Sequence, residues 1–121
     1  MNLNKDIGKY GETLANSYLR ALGFSILKEN FRNRFGEIDI IANKNNLLIF
    51  VEVKTRFTKS YGTPSESVTR SKQKNIIKLS KYFLLSKRTL NFYIRYDVIE
   101  ILLNSNDEDY KINHIKNAFY A

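Results

Sequence analysis

Gly36-Glu37-Ile38-Asp39-Ile40-Ile41-Ala42 is followed by the polar stretch Asn43-Lys44-Asn45-Asn46 and then by Leu47-Leu48-Ile49-Phe50-Val51-Glu52-Val53-Lys54-Thr55. Two aliphatic runs around four turn-forming residues read as a β-hairpin. The charges inside these runs need a reason, because burying an unpaired charge is costly. Side chains alternate along a strand, so Glu52 and Lys54 share one face, about 7 Å apart. With Ala42 facing Leu47 across a four-residue turn, Asp39 faces Phe50. It then lies diagonally from Glu52 on the same face, Cα atoms roughly 7–8 Å apart. A slip of one residue would send Asp39 to the opposite face, so any function built on the pair depends on this register.

Outward from the hairpin, the rest of the chain falls into place around a sheet. Residues 6–22 carry Ile7, Tyr10, Gly11, Leu14, Ala15, Tyr18, Leu19 and Leu22 at helical spacing, with Gly23 as the stop. Phe24 to Phe31 reads as a strand. After the hairpin comes a basic loop, 56–62, and then Thr63-Pro64-Ser65-Glu66, a helix-start signature that can open a short helix. The main second helix is expected from Arg70 to Ser86, with Ile76, Ile77, Ser80, Phe83 and Leu84 as its apolar stripe and Lys72, Lys74, Lys78 and Lys81 off it. Phe92 to Leu103 and Tyr110 to Ile115 read as strands on either side of an acidic turn, 104–109. The expected order is α-β-β-β-α-β-β, an α/β domain with a central mixed sheet flanked by helices.

A chain of 121 residues fits one domain spanning 1–121. It has no cysteine, which excludes a disulfide scaffold and thiolate-bound zinc or iron–sulfur sites. Residues 1–14 include Lys5, Asp6, Lys9 and Glu12 and lack the apolar core of a secretory signal. The longest apolar run, Leu47 to Val51, is too short to span a bilayer. A soluble, cytoplasmic protein is the expectation. The net charge is +8, and the segment from Lys54 to Arg88 holds ten Lys or Arg against one acid, Glu66. Such a stripe points to a polyanion, nucleic acid above all, with a solvated helix face as the plainer alternative.

Two carboxylates on neighbouring strands can share a hard divalent cation such as Mg²⁺, which prefers oxygen ligands and keeps several waters. Such an ion neutralises phosphodiester charge and acidifies a water, and a nearby ammonium, Lys54, can position that water or stabilise the transition state. Glu-x-Lys on a strand is by itself weak evidence. The Gly-Glu-Ile-Asp strand, the hairpin parity and the basic helix together favour a phosphodiesterase.

The chain resembles the YraN family of bacterial endonuclease-like proteins. The resemblance rests on Gly36-Glu37-Ile38-Asp39 and Phe50-Val51-Glu52-Val53-Lys54-Thr55-Arg56. It extends to Gly8, Gly11, Glu12 and Ala15, to Lys72-Gln73, to Arg95-Tyr96-Asp97-Val98, and to His114-Ile115 with Asn117-Ala118-Phe119. It covers about Ile7 to Phe119. It implies a PD-(D/E)XK nuclease-like (restriction-endonuclease-like) fold, similar to archaeal Holliday-junction resolvases. It further implies Asp39 and Glu52 as metal ligands, Lys54 as the catalytic lysine, Glu12 as the helix-one glutamate and Gln73 as the helix-two glutamine. Asp39 stands here within Ile-Asp rather than Pro-Asp.

The remaining candidates keep two readings each. Glu12, roughly 110° from the centre of its helix's apolar face, either reaches past the sheet's rim into the site or is a surface acid. Gln73 either orients a site carboxylate or water or bonds local backbone. Glu37 is a further ligand, or pairs with Arg34 or Arg56 beyond the sheet's edge; it is left outside the core site. Asp97 reads as structural, beside Arg95, and His114, the one histidine, as a surface or capping residue. Arg32, Arg34, Arg56, Lys59, Arg70, Lys72 and Lys74 are candidate phosphate contacts, and Tyr61 either stacks on a base or packs. The expectation is a nuclease that uses Mg²⁺, with Mn²⁺ able to substitute, to hydrolyse phosphodiester bonds in DNA, branched DNA included. Its site is Asp39, Glu52 and Glu12 as metal ligands with Lys54 and Gln73. The alternatives are a non-catalytic nucleic-acid-binding module on the same fold and a protein-interaction subunit. A homodimer is suggested by analogy with junction resolvases alone.

Overall fold

The computed structural model describes residues 3–57, 68–87, 91–104 and 109–121. Lys59, Tyr61, the Thr63–Glu66 helix start and most of the acidic turn lie outside the described residues. The elements are α1 (Leu3–Ala21), β1 (Ser25–Asn33), β2 (Gly36–Lys44), β3 (Leu47–Phe57), α2 (Arg70–Ser86), β4 (Tyr93–Leu103) and β5 (Tyr110–Phe119), in the order expected. The five strands form one open mixed sheet ordered β1-β2-β3-β4-β5. β1, β2 and β3 run antiparallel as a meander, β3 and β4 are parallel across α2, and β5 returns antiparallel to β4.

Alternation along β3 builds the core. Leu48 and Phe50 point to one face and meet Ile76, Leu79 and Phe83 of α2, together with Tyr96 and Val98. Ile49 and Val51 point to the other and meet Ala15 and Leu19 of α1, with Ile40, Ala42, Ile99 and Ile101. Two apolar layers on opposite sides of a buried sheet make the three-layer α/β arrangement. Leu79 joins Ile76, Ser80 and Phe83 on the buried stripe of α2. Thr69 caps α2, its side chain accepting from the Lys72 N–H at 3.2 Å. Among the described residues no helix is long and apolar enough to cross a membrane.

The hairpin turn is shorter than expected. Lys44 pairs with Leu47 and Ile41, not Asp39, pairs with Phe50. Asn45 adopts φ 55°, a left-handed conformation that asparagine tolerates and that two-residue hairpin turns use. Two polar residues therefore belong to strand β2. The register moves by two residues, so side-chain parity survives and Asp39 moves up beside Glu52.

α1 crosses β3 closely at Gly11. A Cβ there would lie 1.8 Å from Thr55 Oγ1, and 2.9 Å from Thr55 Cβ. Only a residue without a side chain allows this approach. It sets the neighbouring Glu12 at the end of β2, where the acidic residues gather.

His114, expected as a surface or capping residue, is buried instead. Its side chain is 5% exposed, between Tyr18 of α1 and Asp97 of β4. Tyr18 Oη lies 2.9 Å from Nδ1 and Asp97 Oδ2 lies 2.7 Å from Nε2. His114 shares strand parity with Ile112, which also packs on the α1 side; that alternation was the available signal.

Candidate active site

β2 departs from β3 at Asp39. Ile40–Val51 is the last pair of their ladder. Ile38 and Ile41, three residues apart, both pack in the layer under α2, so strict alternation breaks between them. The freed segment is held by a side chain: Asp39 Oδ2 accepts the Val53 N–H at 2.8 Å. The Asp39 carboxyl is thereby fixed beside the backbone of the residue after Glu52.

The opposing strand also bends there. Asn30 stands across from Asp39 in the β1–β2 register but at φ 52°, and pairing skips it. Its amide Nδ2 donates to Glu12 Oε1 at 3.1 Å and more loosely to Glu37 Oε1 at 3.4 Å. One neutral donor thus sits between two carboxylates from different elements. Glu12, Glu37 and Asp39 each offer an oxygen within 4.8 Å of the others. The sequence reading left Glu37 outside the site; the structure brings it in. Its outer oxygen, Oε2, is 3.0 Å from Arg32 Nη2, rather than from Arg34 or Arg56.

Crowding shows in the protonation of Asp39. Burial, first, and then the charge of Glu52 push its carboxyl up to about 8. The Glu12 charge and a hydrogen bond with Glu37 push the same way, against the Val53 N–H. Four carboxyl groups converge here without enough positive charge. Positive charge comes from Arg32, on Glu37, and from Lys72, in the first turn of α2, whose Nζ is 2.5 Å from Glu52 Oε1. Burial pulls the Lys72 ammonium down, but its bond to Glu52 and the charges of Glu52, Asp39 and Glu37 outweigh that and hold it above its usual value.

An open polar cleft of about 460 Å³ lies alongside, lined by Glu52, Val53, Lys54, Thr55, Arg56, Phe57 and Lys72. Lys54 lines it on the same strand as Glu52. Arg56 Nε lies 3.4 Å from Glu100 Oε2, so it is held by a carboxylate on β4. Gln73 Nε2 donates to the Val68 carbonyl at 2.8 Å, the local backbone bond that was one of its two readings. It steadies the chain entering the turn that carries Lys72. Arg70 and Lys74 are exposed at the start of α2, and Arg32 and Arg34 at the β1–β2 tip. Of the residues read from sequence, Glu12, Asp39, Glu52 and Lys72 meet in one place, Lys54 and Arg56 border it, and Gln73 supports it from behind. The reading missed Asn30 and the inclusion of Glu37. Asn is disfavoured within a strand yet tolerates left-handed backbone, and that was the signal at position 30.

Residues 11–101 match the family model described as uncharacterised protein family UPF0102. A UPF0102 protein of a type E strain of Clostridium botulinum is 56% identical over 116 residues, covering 96% of this chain and 95% of the relative. One of Clostridium beijerinckii is 53% identical over 117 residues, covering 97% and 95%.

Proposed function

The chain belongs to the UPF0102 family, and we propose that it is a metal-dependent nuclease of PD-(D/E)XK type that hydrolyses phosphodiester bonds in DNA. The observation that carries the proposal is the convergence of Glu12, Glu37 and Asp39, with Glu52 close enough to perturb Asp39, at the break in a hairpin whose next strand supplies Lys54. The donor set fits a hard divalent cation. It is all carboxylate oxygen, the oxygens lie within 4.8 Å of one another, and their mutual repulsion is what such an ion relieves. Glu12, Glu37, Asp39 and Glu52 would hold it. When bound, Mg²⁺ or Mn²⁺ supplies charge neutralisation on the phosphodiester and a water acid enough to attack it.

The chain's own groups do the rest. Asp39 keeps its proton in the metal-free cluster and would give it up to serve as a ligand. Lys54 presents an ammonium to the attacking water or to the oxygens that gain charge. Lys72 balances Glu52 and can turn outward to phosphate, since half of its side chain is exposed. Arg56, Arg70 and Lys74 offer phosphate contacts along the cleft and the start of α2, with Arg32 and Arg34 beyond them. Such contacts position the strand without reading its sequence.

Linear, flap and four-way DNA incubated with Mg²⁺ or Mn²⁺ test the proposal. Cleavage by the unaltered chain, reduced at least about a hundredfold by Glu52→Ala and by Lys54→Ala, is expected. Activity surviving both substitutions removes this site from consideration. A second reading, a nucleic-acid-binding module without turnover, draws on the Lys72–Glu52 ion pair, which already satisfies one ligand. It predicts salt-sensitive binding and no metal-dependent cleavage.

A further inference from the structure

The β1–β2 tip rests on the middle of α2 and forms a surface that the acidic cluster does not use. Phe35 stacks on Tyr82, ring centroids 5.8 Å apart and planes at 23°. Two cations converge on the same Phe35 ring: Lys78 Nζ is 4.5 Å and Arg34 Cζ 5.0 Å from its centroid. Among the described residues neither has a carboxylate within ion-pair distance. Lys74, one turn before Lys78 on the same face of α2, is exposed as well. By contrast Arg32 is paired with Glu37, Lys72 with Glu52 and Arg56 with Glu100. The tip is therefore a place where positive charge is left over.

An exposed cation over an aromatic ring gains only about 0.5–1 kcal/mol. Lys78 and Arg34 are accordingly cheap to release, and two like charges on one ring repel each other. A phosphate between them relieves that repulsion. Tyr82 is 47% exposed, so with one ring face toward Phe35 the other is open for stacking. The tip is also set in advance. The Phe35 N–H donates to Asn33 Oδ1 at 2.7 Å, and a Cβ added at Gly36 would already meet Asn75 Cβ at 3.5 Å and Leu79 Cδ1 at 3.8 Å, so the tip lies close over α2. A preset aromatic surface beside unpaired cations is how sequence-tolerant single-strand binding is built.

We propose that Phe35 and Tyr82, flanked by Arg34, Lys78 and Lys74, form a stacking platform for an unpaired base of a single-stranded DNA extension, with the cations taking its flanking phosphates. Lys78 and Tyr82 follow Lys72 by six and ten residues on α2, or about 9 and 15 Å along the helix axis. The platform thus stands about 9–15 Å along α2 from the lysine that meets Glu52, within reach of a short single-stranded extension. A DNA with a duplex in the cleft and a short unpaired end reaching the β1–β2 tip would engage both. This deepens the nucleic-acid reading above and rests on it, but not on cleavage.

The test uses the full chain in EDTA at one fixed salt concentration, so that no cutting occurs. Binding to a blunt duplex is compared with binding to the same duplex carrying a four-nucleotide single-stranded extension with 2-aminopurine at each position in turn. The unaltered protein is expected to bind the extended DNA about tenfold more tightly and to quench one 2-aminopurine position selectively. Tyr82→Leu keeps bulk but loses the π face; it should abolish the preference and the quench while leaving blunt-duplex affinity within about twofold and the melting temperature unchanged. Tyr82→Phe should keep both. Lys78→Gln should weaken binding to the extended DNA alone. Equal affinity for the two DNAs, no binding to either, or a preference that persists in Tyr82→Leu overturns the proposal. Loss of cleavage in Mg²⁺ with this preference intact counts against the nuclease and not against the platform.

Discussion

Asp39→Asn lowers metal-dependent cleavage by about 10³-fold and, with metal withheld, makes the protein more stable than the unaltered chain at pH 8. The first effect follows from removing a ligand charge: about 4 kcal/mol of lost transition-state stabilisation corresponds to a thousandfold in rate. The second follows from the crowding. Asp39 titrates at about 8 in the folded chain, against 3.8 ordinarily, through burial first and then Glu52. The folded state therefore holds a proton that the unfolded state has lost between those two values. Stability is full below about 3.8 and drains away as pH rises through about 8, at up to about 1.4 kcal/mol per pH unit. Asparagine cannot ionise, so the variant should show a flatter dependence between pH 5 and 8. Urea unfolding in EDTA at several pH values measures it. The same slope in both proteins would mean that Asp39 is not the group under pressure. Mg²⁺ should stabilise the unaltered chain most at the alkaline end, where the carboxylates are all charged.

Asp97→Ala is expected to cost about 3–5 kcal/mol, a large share of what a domain of this size has. Asp97 is fully buried and accepts from Arg95 Nε and Nη2, each at 2.8 Å, from the Asn117 N–H at 3.1 Å and lies 2.7 Å from His114 Nε2. It sits where the β4–β5 register shifts, between Tyr96 and Val98, and it takes a backbone N–H at that irregularity. Through His114 it reaches Tyr18 on α1, so one carboxylate ties two strands and a helix. Burial raises its pKa, but the His114 and Arg95 hydrogen bonds outweigh this and hold it below its ordinary value. Its contribution is thus present above about pH 3.8 and is lost on acidification below that. Alanine leaves the Arg95 guanidinium, 17% exposed, without its partner. A fall in melting temperature of about 10–20 °C by circular dichroism is expected. A shift of under about 3 °C would show that the network carries little of the fold's stability. The carboxylate cluster is formed by other residues, so cleavage measured below the variant's melting point should be retained.

The sheet and its two layers were legible because β3 alternates without interruption: Leu48 and Phe50 against Ile49 and Val51. Charge placement was legible too, since Asp39, Glu52 and Lys54 stood out against aliphatic neighbours. The turn was not. Four consecutive polar residues, Asn43 to Asn46, leave the loop length open, and the left-handed backbone of Asn45 decides it. Parity nonetheless survived because the correction was two residues rather than one. Glu37 and Asn30 entered the site through a bend in β2 and a matching one in β1, and no period in the sequence marks where alternation will break. Lys72, read as a phosphate contact, reaches Glu52 on β3 from the first turn of α2, a tertiary proximity that helical spacing does not give.

The central claim is that these carboxylates grip one divalent ion. Crystals soaked in Mn²⁺ and measured at the manganese absorption edge test it directly. The account predicts a single anomalous peak in contact with Asp39 and with at least two of Glu12, Glu37 and Glu52. Crystals that take up manganese only elsewhere, or none, with Asp39 and Glu52 directed to opposite faces of the sheet, would contradict it.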